Sequence, residues 1–143
     1  MKVIGFNFIK VNAERYAKFN LENLKINAKM DISSIESLKS TLLNTGEDII
    51  GVEFVYSLQY EPDSAKIELA GNVICSLEPK LAKEILKEWK DKNIPEDFKM
   101  MIFNLILKKA SLKSLELEDE LGLPYHIPLP SLKKGNNQNK AEN

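Results

Sequence analysis

The chain has 143 residues, with 20 Lys+Arg against 21 Asp+Glu and a net charge of −1. That length suits one domain able to bury roughly two thirds of its unfolded surface without help from a metal or disulfide, and 43% hydrophobic with 29% charged residues is a globular composition rather than a disordered one. The balanced charge argues against a dedicated nucleic-acid binder, the one cysteine excludes an intramolecular disulfide framework, and no run reaches the roughly 20 apolar residues of a membrane-spanning helix.

The N-terminus, "MKVIGFNFIKVNAERY", has an early lysine but no long apolar core and no small-residue cleavage site. It makes a poor signal peptide, so a cytoplasmic location is expected. Period-two alternation begins at once. "KVIGFNFIKV" places Ile4, Phe6 and Phe8 on one side of a first strand, with Val3, Ile9 and Val11 on the other. "LKINAKMDI" gives a second strand, with Leu24, Ile26, Ala28, Met30 and Ile32 facing one way. "SSIESLKSTL" fits a short helix or an irregular edge equally well, so residues 33–45 receive no assignment before the turn "LNTGED". A third strand, "IGVEFVYSLQYE", aligns Ile50, Val52, Phe54, Tyr56, Leu58 and Tyr60. Pro62, Asp63 and Ser64 turn it into a hairpin. The partner, "KIELAGNVICSL", aligns Ile67, Leu69, Val73, Cys75 and Leu77.

After Leu77 the period changes to 3.6. Glu78-Pro79 opens a helix, and Leu81, Ala82, Ile85, Leu86 and Trp89 form its stripe. "DKNIPED" ends it, and Pro95 with Glu96 and Asp97 starts another. "FKMMIFNLILKKA" is apolar on most sides, as in a helix buried between layers or at a subunit contact. "LKSLELEDELG" continues or restarts it, with Gly122 as the residue just past its end. The expectation is one α+β domain over residues 1–132, four antiparallel strands with two helices on one sheet face, and a polar mobile tail over 133–143.

Reaction chemistry is sparse. His126 is the single histidine, and it sits in the proline-rich "GLPYHIPLP", which reads as an extended structural strap with the ring incidental. Cys75 falls on an apolar strand face and reads as a small buried hydrophobe. One Cys and one His cannot build the usual zinc sites. The glycines form no phosphate-binding motif. "ELEDE" (116–120) reads as a solvated helix face, lacking the spacing of a calcium loop. No catalytic residue, metal or cofactor is expected, and the patterned apolar surface points toward a binding protein.

Four strings, "FNFIKVNAER", "FVYSLQYEPD" with "IELAGNV", "ILKEWKDKNIPED" and "LGLPYHIPLP", resemble the archaeal SecB-like proteins, relatives of the bacterial preprotein export chaperone SecB. The resemblance spans residues 3–132. It implies strand order 1-4-3-2, two helices packed on one face, and homodimers or homotetramers. It also implies ATP-independent holding of unfolded or non-native polypeptides along apolar grooves, with some relatives serving toxin–antitoxin pairs.

On this reading the polypeptide contacts are apolar positions outside the helix-packed face. Val3, Ile9, Val11, Val55 and Ile74 qualify, with Tyr56, Tyr60 and Trp89 as weaker choices because each falls on a core stripe. Self-association is expected through the first strand, with Phe6 and Phe8, and through the helix around Met101, Phe103 and Leu107. Two rivals stand beside it: a regulatory or structural binder of one dedicated protein, and a small enzyme using His126 with the 116–120 acids.

Overall fold

The computed structural model describes residues 1–17, 21–38 and 46–134. Strands β1 (Lys2–Arg15), β2 (Lys25–Leu38), β3 (Asp48–Glu61) and β4 (Ala65–Leu77) precede helices α1 (Pro79–Trp89) and α2 (Glu96–Leu121). The strands form one antiparallel sheet in the order β1-β4-β3-β2. β2 runs on to Leu38, so Ser33–Leu38 is strand, held by pairing with β3. The remainder of the unassigned stretch, the first part of the 43–48 turn, and the tail beyond Lys134 lie outside the described residues.

β3 and β4 occupy the centre because their alternating faces are the most completely apolar. Ile50, Val52, Phe54, Val73 and Cys75 pack against Ala82 and Ile85 of α1 and against Phe98, Ile102 and Ile106 of α2. A second cluster gathers Tyr56, Leu58, Tyr60, Ile67 and Leu69 with Ala110 and Leu123. Both helices therefore lie on one sheet face, the arrangement of an α+β two-layer domain.

The edge strands depart from simple alternation. β1 slips register between Val3 and Gly5 and again between Phe8 and Lys10. Each β-bulge adds one residue, Ile4 and then Ile9, and reverses the side-chain parity that follows. Val3 pairs with Cys75, Phe6 with Val73, Phe8 with Gly71 and Val11 with Leu69. Val3 and Val11 thus share the helix-side face with Phe6 and Phe8, correcting the expectation that they face away, and Ile4 leaves the Phe6–Phe8 row.

α2 is one continuous helix of 26 residues. Its buried residues are Phe98, Ile102, Ile106, Ala110, Ser114 and Glu118, each four beyond the last. This is one i±4 ridge, inclined to the helix axis, as suits a helix lying across a twisted sheet. Its chemistry grades from aromatic through aliphatic to hydroxyl and carboxylate. α2 ends at Gly122, whose φ of 64° lies in the left-handed region that glycine tolerates. The Leu123 N–H then donates to the Glu118 carbonyl at 2.8 Å, and the strap (residues 122–130) leaves the helix.

Candidate functional site

Three places on this scaffold carry side chains whose exposure or polarity the fold does not require. The first is a cleft of about 540 Å³ beside the outer edge of β2. Ile32 from β2, Trp89 at the end of α1, Ile94 from the linker and Phe103 from α2 give it an apolar floor. Asp31, Lys92, Glu96 and Lys99 form a mixed-charge rim. The linker geometry follows from the helix end: the Asp91 and Lys92 N–H groups donate to the Glu88 and Trp89 carbonyls at 3.0 and 2.8 Å. Lys92 sits there with φ 60°. Its ammonium lies 4.5 Å from the Trp89 ring centroid, and that of Lys99 lies 5.6 Å from the Phe103 ring. Such exposed cation–π contacts contribute roughly 0.5–1 kcal/mol each, so the lysines are held loosely enough for an incoming apolar group to displace them.

The second is the open face of the sheet, away from the helices. Val55 is 43% exposed there, and Ile74 is half-buried over Gly5. A depression of about 210 Å³ joins Val55 and Ala70 to Lys10, Lys29, Asp31 and Glu68. Glu68 is the electrostatic hub of this face. A hydrogen bond from Asn12 at 3.2 Å, then Lys10 and Lys66, each 3.5 Å away, hold its carboxyl below the usual range.

The third is the seam between the C-terminal half of α2, β3 and the strap. Glu118 is completely buried. Its Oε2 accepts from the Tyr60 hydroxyl and from the His126 N–H at 2.9 Å, while Oε1 meets His126 Nδ1 at 2.9 Å. The His126 side chain is 8% exposed, and its Nε2 is buried without a partner among the described residues. Burial, reinforced by the Glu118 carboxylate, pushes the Tyr60 hydroxyl far above its ordinary range, and burial raises Tyr56 as well. The imidazole is therefore a fastening group in a buried polar network. That corrects the reading of His126 as incidental and of residues 116–120 as wholly solvated, since Glu118 points inward while Glu116, Asp119 and Glu120 remain exposed. The rival pairing of His126 with an acid of this segment does form, but its contacts are spent on the protein's own tyrosine and strap.

The expected contact residues scatter across these places. Trp89 and Phe103 meet in the cleft. Val55 and Ile74 lie on the open face as expected, and Ile9 is 64% exposed at its bulge. Val3 and Val11 lie at the β1 margin of the helix side, and both are exposed. Tyr56 and Tyr60 are buried in the seam and offer nothing to a ligand in this state. Phe6 and Phe8 stack edge-to-face at 5.2 Å and remain half-buried, as does Met101, while Leu107 is exposed. Ser114 and Glu118 escaped notice because polar residues read as surface. The four-residue series from Phe98 was the signal that could have found them.

The architecture is similar to that of the Rv1957 SecB-like chaperone of Mycobacterium tuberculosis, solved in complex with a ChAD peptide from the Rv1956 HigA1 antitoxin. The superposition has a TM-score of 0.50 at 10% sequence identity and covers 94% of this chain and 91% of that one. The fold is SecB-like. No protein-family model matches the chain, and no curated protein sequence does. Among the described residues no helix is long and apolar enough to cross a membrane, and no group of three or more His, Cys, Asp or Glu is placed to hold a metal.

Proposed function

We propose that this chain is an ATP-independent, chaperone-like binder of unfolded or non-native polypeptides, in the manner of the archaeal SecB-like proteins, with preproteins for export among the candidate clients. The observation that carries this reading is the cleft at the β2 edge, where Trp89, Phe103, Ile32 and Ile94 line an open space of about 540 Å³. An extended client segment places alternate side chains in the cleft, and β2, the edge of the sheet among the described residues, offers its outward main-chain groups. Each apolar side chain a client buries there recovers roughly 1.5–3 kcal/mol before ordering costs are subtracted. Residues 1–132 form one domain on this reading, and the protein works in the cytoplasm as a homodimer or homotetramer. The half-buried Phe6 and Phe8 and the exposed Val3 and Val11 along β1, with Met101 and Leu107, supply the self-association surface. Chemistry is binding alone.

A second reading, a binder dedicated to one partner, is favoured by the antitoxin peptide held by the similar mycobacterial chaperone. Aggregation suppression with two unrelated clients separates the two, run beside a measurement of oligomer size. The chaperone reading expects both clients to be held, and expects Trp89→Ala with Phe103→Ala to abolish the effect while the fold persists. Protection of neither client sinks it.

A further inference from the structure

The strap is held in an unusual way for a terminal segment. Leu123 is buried with the core and the His126 ring is enclosed against Glu118, while Tyr125, Ile127 and Leu129 are exposed. Two side-chain contacts fasten it, His126 Nδ1 to Glu118 at 2.9 Å and the Tyr125 hydroxyl donating to Asp119 at 2.8 Å, and a row of further contacts reaches its main chain. Arg15 Nη1, from β1, donates to the Gly122 carbonyl at 3.1 Å and to the Leu121 carbonyl at 2.9 Å. The Tyr60 hydroxyl, from β3, shares its proton between Glu118 and the Pro124 carbonyl at 3.3 Å. Glu118, from α2, accepts the His126 N–H. Three elements of the body thus meet the strap backbone at every second residue, 122, 124 and 126, and one socket takes a leucine. Main-chain contacts at a two-residue spacing beside an apolar anchor are how a protein holds an extended peptide. Glu118 makes sense on the same ground: a carboxylate buried on the sheet-facing ridge is costly unless donors are brought to it, and two of its three donors come from the strap.

We propose that Arg15, Tyr60 and Glu118 form a second polypeptide seat, separate from the Trp89–Phe103 cleft, which the chain's own strap fills in cis. Its ligand class is an extended segment with a leucine-like anchor, followed three residues later by a free backbone N–H that reaches Glu118. The strap closes the seat until an external segment displaces it.

The test uses a fluorescent peptide of residues 121–130, LGLPYHIPLP, titrated into the full chain. His126→Ala removes the ring contact that fastens the strap but leaves Arg15, Tyr60 and Glu118 in place. The peptide is expected to bind this variant at least tenfold more tightly than the parent, because apparent affinity scales with the fraction of open seat. A peptide carrying Leu123→Ala is expected to lose most of that binding. Trp89→Ala in either protein should leave it unchanged; loss on Trp89→Ala would mean the peptide uses the cleft, and the seat proposal falls while the cleft reading survives. Hydrogen exchange on the unaltered protein decides independently of any variant's folding. The amides of 123, 125, 126 and 127 should exchange as a unit faster than the core of α2, and faster again with peptide in excess. Equal affinity for both proteins, or strap amides that open only together with α2, overturns the proposal.

Discussion

Gly71→Ala tests the register of the sheet at its tightest point. Gly71 lies on the helix side of β4, paired with Phe8 on one flank and Phe54 on the other. A methyl group built there meets the backbone carbonyl oxygen of Asn7 well inside contact distance, with Phe54 Cζ at 2.9 Å and Cε2 at 3.0 Å. The ring is locked against Phe6 and Phe8, with centroids 5.4 and 6.3 Å away, so it has little freedom to yield. The carbonyl belongs to a strand, and it moves only if β1 moves. Overpacking a core costs about 1–3 kcal/mol, and parting two or three ladder hydrogen bonds adds roughly 1 kcal/mol each. The expected loss is therefore on the order of 3–6 kcal/mol. In urea, with a slope of about 2 kcal/mol per molar, that lowers the midpoint by roughly 2 M. Trp89 fluorescence and far-UV circular dichroism report the transition, and amide chemical shifts should move most along residues 5–12. Adding Phe54→Leu relieves the ring but not the carbonyl, so the double variant should stay well below the parent. A Gly71→Ala protein within about 0.5 kcal/mol of the parent would refute the close approach of β1 and, with it, the bulged register that puts Val3 and Val11 on the helix side.

Glu118→Leu should cost roughly 3–5 kcal/mol in urea titration, because it strands buried donors on Tyr60 and His126, whereas Glu118→Gln keeps an acceptor and should cost clearly less. Stability should also fall at alkaline pH. Burial pushes the Cys75 thiol from 9.0 up to about 11 and raises Tyr56 and Tyr60. A folded-state pKa raised above the unfolded one gives stability that is complete below pH 9 and lost as pH rises, at about 1.4 kcal/mol per pH unit for each group. Cys75→Ala should flatten that slope between pH 9 and 11, and an unchanged slope would show that the thiol does not contribute. Finally, Val55→Lys should leave stability within about 0.5 kcal/mol and leave aggregation suppression intact, since the apolar floor of the cleft lies on the helix side of the sheet and only Asp31 of its rim stands opposite Val55; lost suppression would move the client surface to the open face.

The central strands and α1 were legible from sequence because their signals are local and redundant. Ile50 to Tyr60 place an apolar residue at every second position, Pro79 and Pro95 mark helix starts, and Gly122 takes the left-handed turn its position required. The Trp89 stripe also led to one wall of the cleft. The edge strand was misread because a bulge leaves no mark in hydrophobic order: Ile4 and Ile9 look like ordinary members of an alternating row, and only pairing with β4 shows that each is the extra residue. Strand Ser33–Leu38 carries little apolar pattern and exists through its ladder with β3. Glu118 and His126 were misjudged for a related reason. Whether a carboxylate is solvated or buried depends on whether donors arrive, and here Tyr60 comes from 58 positions away in the chain. Sequence thus determined which elements form and which faces are greasy. Tertiary pairing decided which way the edges turn and which polar groups are enclosed, because both depend on partners that only the folded chain brings together.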